Sequence, residues 1–373
     1  MIRLLIVDDS AVVRHALTRQ LGRDPEIEVV GAAPDPYAAR EMIARLRPHV
    51  LTLDLDMPRM DGITFLGKLM AHHPLPVIVV SSHTPHGSRL ALQALELGAI
   101  DVIGKPESAY AVGDLAARLT RAIKCAAMID VRKLAPPGPD GGAAAARGAS
   151  ADDGLPGRGS ARMNADAEPA NASGPLGVDA PLPSVVAIGA STGGTRAVAE
   201  ILRLFPAAAP ATLIVQHMPP GFTSAFAQRL DQIAAMCVRE AADGDLLAPG
   251  LALVAPGDWH MTLLGNEERC RVRLRRGPRV HFQRPSVEVL FDSLAETIGD
   301  RAVGIILTGM GADGAEGLLG LRRAGARTIA QDEATSVVFG MPREAIGRGA
   351  AGRVLPLGRI AAAALAPREA RAA

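Results

Sequence analysis

Residues 185–198 read VVAIGASTGGTRAV, and the reading of this stretch decides the fold. Val185 to Ile188 form an apolar run without alternation, as expected of a strand in a parallel sheet covered on both faces. Gly189, Ala190, Gly193 and Gly194 permit a turn too tight for large side chains. Thr195 to Leu204 then carry apolar residues at helical spacing, so Ser191 falls where a strand hands over to a helix. Backbone N–H groups converge at such a point, and the helix N-terminus favours negative charge. A hydroxyl held there suits a nucleophile with an oxyanion site beside it. A turn that cradles a phosphate fits the same residues, and this stretch alone leaves both readings open.

Outward from this stretch the alternation of strand and helix continues, which predicts a domain over 184–367 and a short tail at 368–373. Strands are expected at Thr212–Gln216, Leu251–Val254, Val303–Leu307 and Thr328–Ala330, with a hairpin over Met261–Leu274. Ser191, His217 and Asp313 each follow one of these strands, where a parallel sheet carries its chemistry. A serine hydroxyl is a poor nucleophile until a base takes its proton, and the base must be oriented by a buried acceptor. The spacing leaves rivals open: His260 and His281 are other possible bases, with His281 read as a hydrogen-bonded structural group, and Asp258 and Asp332 are other possible orienters.

Toward the N-terminus the same pattern predicts five strand–helix units over residues 1–130. The strands are Leu4–Val7, Val29–Ala33, His49–Leu53, Val77–Val80 and Asp101–Ile103. Helices are expected from Ser10 to about Leu21 and over Pro36–Leu46, the latter capped by Asp35 with Pro36 in the first turn. Both domains are thus read as doubly wound α/β sheets. Asp8 and Asp9 follow the first strand, Asp54 the third, Ser81 the fourth, and Lys105 with Pro106 the fifth. Clustered carboxylates repel one another and call for a hard cation such as Mg²⁺. Carboxylates, a hydroxyl and a lysine around one metal make a phosphoryl-transfer site.

Between the two domains, residues 134–183 hold no isoleucine and no aromatic residue and cannot bury enough apolar surface to order themselves. Residues 131–183 are therefore read as a flexible linker, spanning on the order of 40 Å as a coil. The formal net charge of +1 gives no general pull toward nucleic acid or anionic membrane. Cys125, Cys237 and Cys270 lack metal-ligand spacing and are each expected to be small core hydrophobes in a reducing compartment. MIRLLIVDDS reaches acidic residues too soon for a signal peptide, and no run is long enough to span a bilayer. A soluble, cytoplasmic protein is expected.

The N-terminal domain resembles the receiver domain of two-component response regulators, through Asp8-Asp9, Asp54-Leu55-Asp56-Met57-Pro58, Met60-Asp61-Gly62, Ser81 and Lys105-Pro106. The resemblance implies that Asp54 accepts a phosphoryl group from a histidine kinase. It further implies that Asp9, Asp54 and the Asp56 carbonyl hold Mg²⁺, that Asp8 assists through water, and that Ser81 and Lys105 contact the phosphoryl group. Val102 stands where many receivers carry an aromatic switch residue. The C-terminal domain resembles the methylesterase domain of the chemotaxis protein-glutamate methylesterases, the CheB family. The matching runs are GASTGG at 189–194, QHMP at 216–219, APG at 255–257, RPSVEVLF at 284–291, LTGMGADG at 307–314 and QDEATSVVFGMP at 331–342.

This second resemblance implies a nucleophile Ser191, a general base and acid His217, an orienting carboxylate Asp313, and a site lined by Thr192, Gly193, Gly194 and Met310. It implies hydrolysis of glutamate methyl esters on helical cytoplasmic segments of chemoreceptors and deamidation of receptor glutamines, without a cofactor in this domain. A nicotinamide-dependent reductase is the rival within the fold. It needs a tyrosine and a lysine, yet Tyr37 and Tyr110 both lie in the first domain, and Gln216-His217 stands where a ribose-binding acid belongs. A non-enzymatic output domain is the rival from another class. DNA binding is disfavoured by near-neutral charge and the lack of a basic helix-turn-helix pattern, and Ser191, His217 and Asp313 stand against a purely protein-binding role.

Overall fold

The computed structural model describes residues 1–81, 84–105, 112–129, 131, 185–266 and 269–367. The linker expected at 131–183 lies outside them apart from its first position, as do the tail 368–373 and Pro106. The N-terminal domain runs β1 (Ile2–Val7), α1 (Ala11–Leu21), β2 (Ile27–Ala33), α2 (Pro36–Leu46), β3 (Val50–Asp54), α3 (Gly62–His72), β4 (Val77–Ser81), α4 (Pro85–Leu97), β5 (Asp101–Gly104) and α5 (Val112–Ala126). Its sheet is parallel in the order β2-β1-β3-β4-β5. Side-chain caps start α1, α2 and α3, the first two where the sequence reading places a helix. Ser10 accepts from Val13 N, Asp35 from Tyr37 N and Ala38 N, and Asp61 from Thr64 N, each such cap being worth about 1 kcal/mol.

The C-terminal domain runs β6 (Val185–Ala190), α6 (Gly194–Arg203), β7 (Ala211–Gln216), α7 (Phe222–Asp231), β8 (Cys237–Glu240), β9 (Leu251–Val254), β10 (His260–Asn266), β11 (Arg269–Arg275), α8 (Val287–Thr297), β12 (Ala302–Ile306), α9 (Ala315–Arg323), β13 (Arg327–Gln331), α10 (Met341–Gly347), β14 (Arg353–Leu355) and α11 (Leu357–Leu365). Seven parallel strands lie in the order β14-β13-β12-β6-β7-β9-β8, and β10 and β11 form a separate antiparallel hairpin. Every residue of β6, β7 and β12 is buried. Each fully buried valine, leucine or isoleucine in these strands contributes roughly 1.5–3 kcal/mol, which is why a non-alternating run at 185–188 folds as a central strand.

Strand order reverses at β6, with β12 on one side and β7 on the other. This is the switch point at which a parallel sheet opens a crevice beyond its carboxyl ends. In the N-terminal sheet β1 holds the same place, between β2 and β3.

Several boundaries differ from expectation by one or two residues, since strands continue as far as ladder partners last. The larger differences lie at the edges. Strands β8 and β14 escape the sequence reading because edge strands bury little: their burial alternates in β8 and is slight throughout β14. Cys237, expected in the core, is exposed for this reason, whereas Cys125 and Cys270 are buried. His281, read as a hydrogen-bonded structural group, is exposed on a left-handed backbone with φ 49°. Among the described residues no helix is long and apolar enough to cross a membrane.

The two domains meet through α4 and α7. Glu96 of α4 receives the Arg229 guanidinium at 2.6 Å and its carbonyl accepts from Arg196. Arg121 of α5 lies over the Phe282 ring, 5.0 Å from its centroid. Residues 100–103 of the N-terminal domain, with Arg118, Arg121, Ala122 and Cys125, line the same cavity as Ser191 and His217.

Candidate active site and phosphoacceptor site

Three adjacent strands deliver the three residues. Ser191 follows β6, His217 follows β7, and Asp313 sits in the loop after β12. The turn at Ser191 is held by its backbone: its N–H donates to Thr308 O at 3.1 Å, and its carbonyl accepts from Gln216 Nε2 at 2.8 Å. Gly193 adopts φ +80°, and a Cβ there would lie 2.7 Å from Val337 Cβ. The loop after β12 comes so close that a Cβ on Gly309 would sit 2.7 Å from Ser191 Cβ. Glycine at both positions is what lets these loops meet.

His217 Nε2 lies 2.7 Å from Asp313 Oδ2, with both side chains almost fully covered. This contact makes His217 the candidate base and Asp313 the candidate orienter. His260 is buried with Nε2 against Pro278 O at 3.0 Å, and burial holds its imidazole below the usual value. His281 lines the same cavity, a ring nitrogen within 4.8 Å of an Asp313 carboxylate oxygen. Asp258 pairs with Arg284 at 2.6 Å, and Asp332 caps the turn to Thr335. His217 Nδ1 is buried and makes no hydrogen bond among the described residues, and His217 lines one cavity with Ser191, Thr192 and Met310. Gly193 lines the adjoining space. Gly194 instead packs beneath Gln216, where a Cβ would fall 2.2 Å from Oε1.

Asp313 is 1 % exposed, and burial by itself would raise its carboxyl. Hydrogen bonds outweigh it: His217, Ser286 Oγ at 2.6 Å and Val287 N at 2.7 Å hold the carboxyl below its ordinary value, and Glu288 N adds a fourth donor at 3.2 Å. Ser286 and the first turn of α8 were not among the residues inferred from the spacing. Their signal was a helix-start pattern, since Ser286 also caps α8 through Val289 N. That helix N-terminus is aimed at a carboxylate, an arrangement it favours. Nearby, burial and then Asp292 push Glu288 up to about 7.

In the N-terminal domain Asp8, Asp9 and Asp54 place carboxylate oxygens within 4.8 Å of one another. Lys105 Nζ reaches Asp54 Oδ2 at 2.6 Å and Asp8 Oδ2 at 3.3 Å. Burial, the largest influence, raises the Asp54 carboxyl despite Lys105. Burial alone would lower the Lys105 ammonium, but Asp54 and Asp8 hold it above its ordinary value. Asp56 donates its N–H to Asp54 Oδ1 at 3.2 Å, and its exposed side chain stands apart from the clustered oxygens. Ser81 is fully buried, its hydroxyl donating to Gly87 O at 3.3 Å.

A parallel sheet that gathers serine, histidine and buried aspartate at its switch point, behind a domain with a lysine-braced acidic cluster, defines a two-domain response regulator with a hydrolase-like output. Comparison with known proteins agrees. A family model described as CheB methylesterase matches residues 186–364, and one described as response regulator receiver domain matches residues 4–116. A protein-glutamate methylesterase/protein-glutamine glutaminase from Syntrophus aciditrophicus is 47 % identical over 96 % of this chain and 97 % of its own length. One from Anaeromyxobacter dehalogenans is 51 % identical over 96 % of this chain and 94 % of its own. The crystal structure of the Thermotoga maritima CheB methylesterase catalytic domain is 38 % identical, covering 49 % of this chain and 97 % of that one, with a TM-score of 0.48. The chain belongs to the CheB methylesterase family, with a receiver domain at its N-terminus.

Proposed function

We propose that the chain removes methyl groups from γ-glutamyl methyl esters on the cytoplasmic segments of chemoreceptors and deamidates receptor glutamines to glutamate, with Ser191 as nucleophile. The observation that carries the reading is the His217–Asp313 pair at 2.7 Å through Nε2, which leaves the buried Nδ1 to act as base. Nδ1 takes the Ser191 proton as Oγ bonds to the ester carbonyl carbon. The developing oxyanion is met by amide N–H groups of the Thr192-Gly193 turn. The tetrahedral adduct collapses by breaking the carbon–methoxide bond, and the proton on Nδ1 leaves with methoxide as methanol. Water, giving a proton to Nδ1, then attacks the acyl carbon; the acyl–Oγ bond breaks, Nδ1 returns the proton to Ser191 Oγ, and glutamate is restored. A glutamine side chain follows the same course with ammonia as the leaving group. No cofactor is called for in these steps. Methanol release from methylated receptor preparations, measured with and without a phosphodonor, tests the reading; release that no phosphodonor alters would remove the regulatory half of it.

Control comes from the receiver. Asp54 is the phosphoacceptor, a histidine kinase the donor, and an all-oxygen cluster of this kind suits Mg²⁺. Asp9, Asp54 and the Asp56 carbonyl would hold the ion and Asp8 would assist through water, the ion offsetting charge on the transferring group. Lys105 and Ser81 would contact the phosphoryl oxygens. Asp54→Asn keeps shape but removes the nucleophilic carboxylate, so acid-labile phosphate incorporation should fall to background; uptake at the wild-type rate would place the acceptor elsewhere.

In the arrangement described above the receiver lies across the cavity that holds Ser191, so the unphosphorylated chain is held inactive by obstruction, and a closed-state preference of a few kcal/mol suffices. The Glu96–Arg229 pair contributes to that preference. Both side chains are close to half exposed, which limits the pair to about 0.2–1 kcal/mol. Glu96→Arg should therefore raise basal methanol release by up to about fivefold, and adding Arg229→Glu should bring it back down. Basal release unchanged in the single variant would show that this pair does not hold the domains together.

A further inference from the structure

Strand β11 presents arginine at every second position. Arg271, Arg273 and Arg275 are exposed on the hairpin face that they share with Leu264, Thr262 and His260 in register, while Val272 and Cys270 point into the core. The run continues through exposed Arg276, stacked on Trp259 at 4.7 Å, to Arg279 and Arg284, which line the cavity with Ser191 and His217. Residues 269–284 hold seven arginines and no acidic residue, in a chain whose formal net charge is only +1. Arg271, Arg273, Arg275 and Arg276 make no ion pair among the described residues. The acids nearest in the chain before the run, Glu267 and Glu268, lie outside those residues. Of the acids beside the hairpin, Asp245 is taken by Arg239 at 2.5 Å, and Asp243 accepts from Leu274 N at 2.7 Å without an ion pair to these arginines among the described residues. Two apolar side chains adjoin the arginines: Leu264, 42 % exposed, opposite Arg271, and Leu246, 60 % exposed, bridged to Arg271.

We infer that this hairpin is a docking track for the substrate protein, recognising a helical face that carries glutamates. The inference rests on the proposed methylesterase reading, which supplies its chemistry: each turnover turns a neutral ester or amide into a carboxylate, so the substrate face is a glutamate face. The spacing fits. Alternate residues on a strand are about 7 Å apart, and carboxylates one helical turn apart are separated by about 5.4–6 Å, so three arginines can follow three successive turns. Leu246 and Leu264 give the apolar contact that a protein helix offers and a lipid headgroup layer does not. The receiver reaches the mouth through Arg121 on Phe282 yet leaves Arg271, Arg273 and Arg275 exposed. Docking is therefore open before the receiver moves, and phosphorylation controls access to Ser191 while the track holds the substrate nearby.

The test compares the full chain with its R271E/R273E/R275E variant, both supplied with a phosphodonor and Mg²⁺ so that the receiver is released, on two substrates: a methylated receptor fragment, soluble or in anionic vesicles, and a short uncharged peptide bearing one γ-glutamyl methyl ester. On the soluble receptor fragment the variant should show KM raised about tenfold at low salt with kcat within about twofold, and the steep rise of wild-type KM with salt should flatten. Peptide hydrolysis should match wild type, which also shows that the variant is folded. R323E/R343E/R353E, the same charge change elsewhere on the domain, should leave KM unchanged. The inference is overturned if KM on the soluble fragment does not move, if the control triple raises it equally, if peptide hydrolysis falls in step, or if the effect appears only on anionic vesicles, which would make the track a lipid-binding surface. A wild-type chain that hydrolyses neither substrate would overturn the methylesterase reading itself. Wild-type turnover of both, with an unaffected variant, would remove only the track.

Discussion

Ser191→Ala is expected to lower methanol release by on the order of 10⁴-fold or more with almost no change in Tm. The rate effect follows from chemistry: without Oγ no acyl-serine forms, and only water positioned by His217 and the oxyanion donors remains. The stability expectation follows from how the turn is held. The N–H bond to Thr308 O and the carbonyl bond from Gln216 belong to the backbone and survive in alanine. The Cβ that Gly309 accommodates is also retained, and the lost hydroxyl is not fully buried. A surface-level substitution of this kind usually changes stability by less than about 0.5 kcal/mol. Parallel measurement of methanol release and thermal unfolding separates the two effects. Release within tenfold of wild type would disqualify Ser191 as nucleophile, and a Tm drop of many degrees would mean that the rate loss reports unfolding.

The alternation of strand and helix was legible because both sheets are covered on both faces, so central strands such as β6 and β12 read as unbroken apolar runs. Edge strands obey a weaker rule: β8 buries alternate residues and β14 almost none, and neither left a mark that periodicity could detect. The members of the acidic cluster were legible from strand ends, whereas the adjacency of β1 and β3 that gathers them was not. The proposed catalytic constellation was legible only in part. Strand ends pointed to Ser191, His217 and Asp313 but could not separate them from His260, His281, Asp258 and Asp332. What separates them is lateral order, with β12, β6 and β7 side by side, and order across a sheet has no local sequence signature. Ser286 shows the same limit: its capping pattern marks a helix start, and nothing nearby says that the helix points at Asp313. How the receiver sits on the catalytic face depends on contacts such as Glu96–Arg229, between residues 133 positions apart. Exposed pairs of this kind have no pattern to read.

Asp313→Asn should reduce kcat by about 10²–10³-fold, less than a change that inverts the histidine tautomer, which costs about 10⁴. All four groups around Asp313 donate: His217 Nε2 and Val287 N to Oδ2, Ser286 Oγ and Glu288 N to Oδ1. An asparagine has one acceptor oxygen and must turn its NH₂ toward one of these pairs. Facing Oδ1's partners costs less, because the Ser286 hydroxyl can rotate to accept and the bond from Glu288 N is the longest of the four at 3.2 Å. The oxygen then stays on His217 Nε2, Nδ1 remains an acceptor, and what is lost is the charge that stabilises the imidazolium. Adding Ser286→Ala to Asp313→Asn removes the one group that can reverse its role, so a further fall of about tenfold in kcat is expected from the misdirected tautomer. Stability should change its pH dependence as well. The Asp313 carboxyl is held below its ordinary value of 3.8, so its contribution is fully present above that value and is lost as pH falls through the lower, folded one. Unfolding titrations should therefore show the wild type losing stability on the acid side of pH 3.8 more steeply than Asp313→Asn. A variant as active as wild type, or a double variant no worse than the single, would mean that Asp313 does not set the state of His217.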